Sequence, residues 1–172
     1  MLCMNDMKIE NVLGALALAL ADNLLQSADA QAPEPGVAAA ALALLGHAPG
    51  MSIEQLRRAL RLSHPGTVRL VDRLVAREVV ERRASQHDRR AVALYLTPTG
   101  EGGCTAILAA RQAHTAQMLT VLDATERETL GRLCEKLLRG LVRDEDHALS
   151  VCRLCDPAVC TGCPIEAGLN RL

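Results

Sequence analysis

Aromatic side chains are almost missing from this 172-residue chain: Tyr95 stands alone, with no Trp and no Phe. Readers of single strands and of RNA stack bases on aromatic platforms, so those classes fall away. Membrane-length apolar segments are missing too. The stretch Val12 to Ala21 is ten residues long, about half of what a bilayer requires. It ends at Ala19-Leu20-Ala21, which has the small-residue pattern of a leader cleavage site, but Asp6 and Glu10 lie in the region leading to it and Lys8 is the lone positive residue there. The expectation is a cytoplasmic protein without a membrane span. Nucleophile elbow, phosphate-cradling loop and metalloprotease helix are also absent, so no enzyme is expected.

What is present is a globular composition, 49% apolar with a mean hydropathy of +0.12, at a length that suits one domain with appendages. The net charge of −1 conceals an asymmetry. Arg57 to Arg90 holds ten arginines (57, 58, 61, 69, 73, 77, 82, 83, 89 and 90) against four acids (Asp72, Glu78, Glu81, Asp88), a block of +6 on a body of −7. Such a block is the footprint of a polyanion site. Four acids within it are too few to neutralise ten guanidinium groups.

Apolar spacing from residue 8 to about 28 (Ile9, Val12, Leu13, Leu16, Leu20, Leu24) predicts a helix. Pro33-Glu34-Pro35-Gly36 breaks it, an Ala-rich helix runs to about Leu45, and Gly46 to Gly50 is a second break. Ser52 and Gln55 have capping-box spacing and open a helix through Arg61; Ser63 caps the next, with Pro65 in its first turn. That is a helix-turn-helix. Val79-Val80 and Ala91 to Leu96 favour strands, joined by a polar run, so a hairpin wing follows. Thr97 caps a long helix to about Leu122 with Pro98 at its first position. Thr125 and Glu128 have the spacing of another capping box, opening a helix whose stripe is Leu130, Leu133, Cys134, Leu137, Leu138, Leu141 and Val142.

On the second helix of the pair, Thr67, Leu70, Val71 and Leu74 share the face toward the first, which offers Ile53, Leu56 and Leu60. The opposite face presents Ser63, His64, Pro65, Gly66, Val68, Arg69, Asp72 and Arg73. A recognition helix reads base edges with its N-terminal residues. Gly66 permits close backbone approach, Val68 suits a thymine methyl, and Arg69 and Arg73 suit guanine or phosphate. Arg82 and Arg83 extend the basic surface along the wing. Arg89 and Arg90 at its tip suit the minor groove, with Asp88 fixing the turn.

The segments Leu62-Ser-His-Pro-Gly-Thr-Val-Arg-Leu-Val-Asp-Arg-Leu74, Val79-Val-Glu-Arg-Arg83, Asp88-Arg-Arg90 and Leu96-Thr-Pro-Thr-Gly100 resemble the MarR family of regulators over roughly residues 10 to 148. Asp88 and Arg90 match the family's wing aspartate and arginine; Glu78 stands where the family often has Gly. The resemblance implies a mainly α (α+β) fold: a winged helix-turn-helix on an N- and C-terminal helical dimerisation region. It implies a homodimer on a pseudo-palindromic operator in double-stranded DNA, usually as a repressor, with a small aromatic effector bound between the wing domain and the dimer helices. The expected division is residues 8–48 for support and dimerisation, 49–100 for the winged helix-turn-helix, 101–148 for C-terminal dimerisation, and 149–172 for a cysteine-rich tail.

That tail carries Cys152-x2-Cys155-x4-Cys160-x2-Cys163, four thiols within twelve residues, bent by Asp156, Pro157, Gly162 and Pro164. The spacing suits one metal centre. Zinc in a closed tetrahedral site, an iron–sulfur cluster, and metal-free thiols that oxidise to disulfides all remain open. A similar tail occurs in a subset of MarR-like proteins. Cys104 and Cys134, in helices, read as small core residues. The function expected is a DNA-binding regulator whose operator affinity follows the state of this centre, the tail acting through the dimerisation helix before it. A metal-carrying interaction or electron-transfer protein is the reading from another class.

Overall fold

The computed structural model of the chain describes residues 4–84 and 92–171. Eight helices and two strands occur among them: α1 (Met4–Asp29), α2 (Ala38–His47), α3 (Ile53–Leu60), α4 (His64–Ala76), β1 (Val80–Ala84), β2 (Val92–Leu96), α5 (Pro98–Met118), α6 (Ala124–Leu141), α7 (Glu145–Cys152) and α8 (Pro164–Leu169), with a 3₁₀ turn Leu119–Val121 ahead of α6. No described helix is long and apolar enough to cross a membrane. The mainly helical class with a small antiparallel hairpin is the one expected.

The core forms around α2. Its residues Ala38 to Leu45 are all buried, which a helix apolar on every side requires. Small alanines let α1 and α5 approach it closely, while Leu42, Leu44 and Leu45 fill the space between. Leu56, Ala59 and Leu60 of α3 and Leu70, Val71 and Leu74 of α4 join the same core, so the support helices and the helix-turn-helix share one interior. Thr67 is fully buried and satisfies its hydroxyl by donating to the Ser63 carbonyl oxygen at 3.1 Å.

Caps set the turn. Ser52 and Gln55 form the reciprocal box on α3, and α3 ends at Arg61 in the left-handed region (φ 54°). Ser63 accepts from the Gly66 N–H and opens α4 with Pro65 in the first turn. β1 and β2 pair antiparallel from Val80↔Leu96 to Ala84↔Val92, and Met51 adds an isolated bridge to Leu94 that ties the start of α3 to the hairpin.

Two sequence expectations change. The cap of α6 is Asp123 with Glu126 in a full box, not Thr125 with Glu128. Both pairs have the right spacing; the 3₁₀ turn before Leu122 brings the chain into helix two residues earlier. Cys134 is exposed rather than in the core, because α6 buries none of its residues within the chain. The tail is also more ordered than a run of thiols suggests, holding α7, capped by Asp144, and the short α8.

One junction sets the angle of the wing. Thr97, the cap of α5, donates its hydroxyl to the Glu78 carbonyl at 2.6 Å, accepts from the Gly100 N–H at 3.1 Å, and sends its own N–H to the Val79 carbonyl at 3.2 Å. Gly100 lies so close that a Cβ there would stand 1.9 Å from the Val79 oxygen. Glu78 itself has φ 57°, a conformation costing an L-residue about 1–2 kcal/mol. Gly100→Ala is expected to destabilise the fold by at least about 2 kcal/mol, since backbone cannot yield as a side chain does. Glu78→Gly is expected to stabilise it by about 0.5–1 kcal/mol, the relieved strain partly offset by glycine's greater unfolded-state freedom. Urea unfolding of both variants measures each sign.

Candidate nucleic-acid interface and cysteine centre

The exposed side of α4 carries the predicted reading residues. Ser63, His64, Pro65 and Arg69 are exposed, Gly66 and Val68 half-buried, and Thr67, Leu70, Val71 and Leu74 turned inward. The helical period thus separates the reading face from the packing face as expected. Asp88, Arg89 and Arg90 fall outside the described residues.

The arginines are not the free block that counting implied. Arg57 and Arg58 pair with Glu54, and Arg58 also with Asp146 at 3.5 Å. Arg73 and Arg77 share Glu34, at 2.7 and 3.8 Å. Arg82 pairs with Asp72 at 2.6 Å, and Arg83 with Glu81 while stacking over Tyr95 with its guanidinium carbon 4.8 Å from the ring centre. Three of these acids, Glu34, Glu54 and Asp146, lie outside Arg57–Arg90, so a count of acids within the block missed them. Among the described residues of the block, Arg61 and Arg69 have no carboxylate partner. Arg69 was foreseen as a reader; Arg61, the left-handed cap between α3 and α4, was not.

Glu34 is the unforeseen residue of the site. It lies in the loop read only as a helix break, its side chain 10% exposed. Both its oxygens accept from the Arg73 Nε, at 2.8 and 2.9 Å, which orients Arg73 along the loop rather than straight outward. The Arg73 hydrogen bond lowers the Glu34 carboxyl below the ordinary 4.5, helped by the charges of Arg73 and Arg77 and opposed by burial.

At the other end of the chain, cysteine pairs lie 4.0–4.3 Å apart. Cys152 faces Cys155, and Cys160 faces Cys163. All four are half-buried. The pairing with Cys152 draws the Cys155 thiol down to about 6, with Arg111 assisting and burial opposing. The same pairing pushes Cys152 up, reinforced by burial and by the negative charge that Cys155, Cys163 and Cys160 would carry. Burial first, then Cys163, raises Cys160. Among the described residues no three His, Cys, Asp or Glu side chains stand together in ligating position. The arrangement is two facing pairs rather than a closed cage.

The tail reaches the reading head by a route the sequence did not suggest. α7 packs on α3, with Arg58–Asp146 bridging them. α8 packs against α6, where Val142, Ala148 and Ile165 form a small second core with Cys152 and Cys163 at its edge. A cleft of about 420 Å³ opens where α1, α2, α3 and α7 meet, lined among others by Leu25, Asp29, Leu60, Arg61 and Arg153.

Residues 35–91 match the family model described as MarR family. The transcriptional repressor MprA of Escherichia coli K12 is 32% identical over 95 residues, 55% of this chain and 54% of that protein. The chain thus spans about half the length of the curated relatives it matches. The structure of a MarR family protein from Bacillus stearothermophilus superposes with a TM-score of 0.67 at 22% identity, covering 78% of this chain and 94% of that one. The transcriptional repressor CouR, solved bound to a 23-mer DNA duplex, superposes at 0.59 with 21% identity over 80% of this chain and 98% of its own. The fold is that of the MarR winged helix-turn-helix structures, and the family-model match falls on its middle, from the loop before α2 into the wing.

Glu34→Gln is expected to destabilise the fold at neutral pH by about 1 kcal/mol, a modest value because the arginine partners are half exposed. The carboxyl is depressed in the folded state, so its contribution is present above the ordinary carboxylate range and is lost as pH falls through its folded value. Denaturant midpoints of the two proteins should therefore converge once the pH has fallen through that folded value, which lies below the ordinary 4.5, a comparison that melts at several pH values make directly.

Proposed function

We propose that this chain, built on a MarR-type winged helix-turn-helix, is a sequence-specific regulator of transcription that binds double-stranded DNA as a homodimer and acts as a repressor. The observation that carries this reading is the outer face of α4: an exposed His64-Pro65 start and a half-buried Gly66, followed one turn later by Arg69, which has no carboxylate partner among the described residues, beside a hairpin bearing Arg82 and Arg83. Helix N-terminal residues enter the major groove, and a bidentate arginine there distinguishes guanine by about 1–3 kcal/mol. Arg61 and the paired arginines line the flanks and suit phosphates, which fix register rather than sequence. The relatives MprA and CouR are repressors by name, and CouR was solved on a duplex.

Dimerisation is supported by two apolar faces left open in the single chain. Met7, Ile9, Val12, Leu13, Leu16 and Leu18 of α1 are between 45% and 69% exposed, and Leu133, Leu137 and Leu141 of α6 between 53% and 60%. Contiguous apolar patches of this kind mark association surfaces. A second copy covering them gives the two-fold arrangement that matches a pseudo-palindrome. Operator binding is modulated, in this reading, by the four-cysteine centre, whether it holds zinc, an iron–sulfur cluster or oxidisable thiols. A small-molecule effector is the second reading, favoured by the cleft between α1, α2, α3 and α7.

Arg69→Ala is expected to weaken binding to an operator selected from random duplexes by about tenfold or more. If Arg69 contacts phosphate instead, the salt dependence of binding falls by roughly one counterion and discrimination is unchanged. Wild-type affinity with unchanged salt slope would remove α4 from the interface. Leu137→Glu is expected to yield a monomer by sedimentation and to lose operator affinity with it; a dimeric Leu137→Glu protein would place the interface elsewhere.

A further inference from the structure

We propose that Cys152, Cys155, Cys160 and Cys163 form one tetrathiolate site for a single soft divalent cation of the zinc class, and that closing it fastens α7 onto α3 of the reading head. This deepens the four-cysteine centre of the proposed regulator and rests on that part of the reading alone.

Three observations carry it. The first is spacing. A tetrahedral ion with metal–sulfur bonds of ~2.3 Å has sulfur–sulfur edges of about 3.8 Å, and the cysteine pairs already lie 4.0–4.3 Å apart. A disulfide needs roughly half that, about 2.05 Å. The two pairs also meet at one place, since Cys152 and Cys163 both pack against the small core of Val142, Ala148 and Ile165. A [4Fe–4S] cluster puts each thiolate on a different iron, which spreads them apart, while a [2Fe–2S] cluster keeps two thiolates on each iron and is told apart by its sulfide in the test below.

The second is backbone. The Cys155 N–H bonds the Cys152 carbonyl at 2.8 Å, the Asp156 carboxylate accepts from Ala158 at 2.9 Å, and Gly162 sits at φ 67° directly before Cys163. These turns bend the segment back on itself and bring the second pair toward the first. Ligation then needs side-chain reorientation and loss of the thiol protons, not a new path for the chain.

The third is the energetic deficit of the tail. Residues 153–163 have no helix or strand, and ordering such backbone costs about 1–2 kcal/mol per residue. Against that stands a core of Val142, Ala148 and Ile165 edged by a few half-buried neighbours. A core this small does not order such a segment unaided, whereas a structural zinc supplies folding energy outright. The staple would end in Cys152, the last residue of α7. Since α7 packs on α3 and Leu149 and Leu154 lie against the main core, holding Cys152 holds that contact.

The test is metal titration of the full-length, thiol-reduced protein. Expected are one Co²⁺ per chain, with intense thiolate-to-cobalt absorption and tetrahedral ligand-field bands, and its displacement by Zn²⁺. Hydrogen exchange across residues 145–169 should slow several-fold on zinc addition and recover with chelator. Cys152→Ser and Cys163→Ser should each weaken zinc retention by more than the roughly 10–100-fold that losing a mere supporting partner costs; Cys134→Ser should not. Anaerobically isolated protein that carries iron with sulfide overturns the assignment. So does protein that retains no metal and instead links Cys152 to Cys155 and Cys160 to Cys163 on oxidation. Operator affinity measured on the same samples separates the two readings: intact DNA binding without a metal sinks the site alone, and a loaded site without DNA binding sinks the regulator.

Discussion

The reading head depends on one backbone junction, where the α5 cap grips the end of α4. Thr97 satisfies both carbonyls of Glu78 and Val79, and the bare α-carbon of Gly100 lets α5 lie against them. Because α4 enters this junction and β1 leaves it, the angle between α4 and the hairpin is set there. In the proposed mode of binding two grooves of a duplex are engaged at a fixed offset, and a scaffold that fixes this angle serves recognition before contact. The Met51–Leu94 bridge adds a second tie from the start of α3, leaving the helix pair and hairpin as one rigid unit.

Charge is distributed by the same logic. Six arginines of the basic block are held by carboxylates, four of them by acids from other elements or across a turn: Glu34 on Arg73 and Arg77, Asp146 on Arg58, and Asp72 on Arg82. Such pairs contribute little stability where exposed, but they orient flat guanidinium groups, which is what phosphate recognition requires. Arg61 and Arg69 stay without partners among the described residues, one at the hinge of the helix pair and one on the reading face. Positioned cations and free ones are thus mixed over one surface.

Much of this was legible beforehand because it is local. The caps at Ser52, Ser63 and Thr97, the inward face of Thr67, Leu70, Val71 and Leu74, and the paired strands follow from period and turn chemistry over a few residues. What was missed is what tertiary structure decides. Glu34 looked like part of a break because its partners are 39 and more residues away. Asp123 displaced Thr125 as a cap because a 3₁₀ turn altered the helix entry. Cys134 was placed in a core that α6 does not make within one chain. The tail keeps the contact with α6 that adjacency in sequence pointed to, through α8, and adds one the sequence did not suggest, α7 on α3.

The scarcity of aromatic residues has a practical side. Tyr95 is the sole ultraviolet emitter of the chain, and it sits at the base of the wing opposite Glu81, under the Arg83 guanidinium and beside Gly50. No tryptophan drowns its signal, so intrinsic fluorescence of the unlabelled molecule reports one place alone. Any event that draws Arg83 off that ring changes the emission of the whole protein with it.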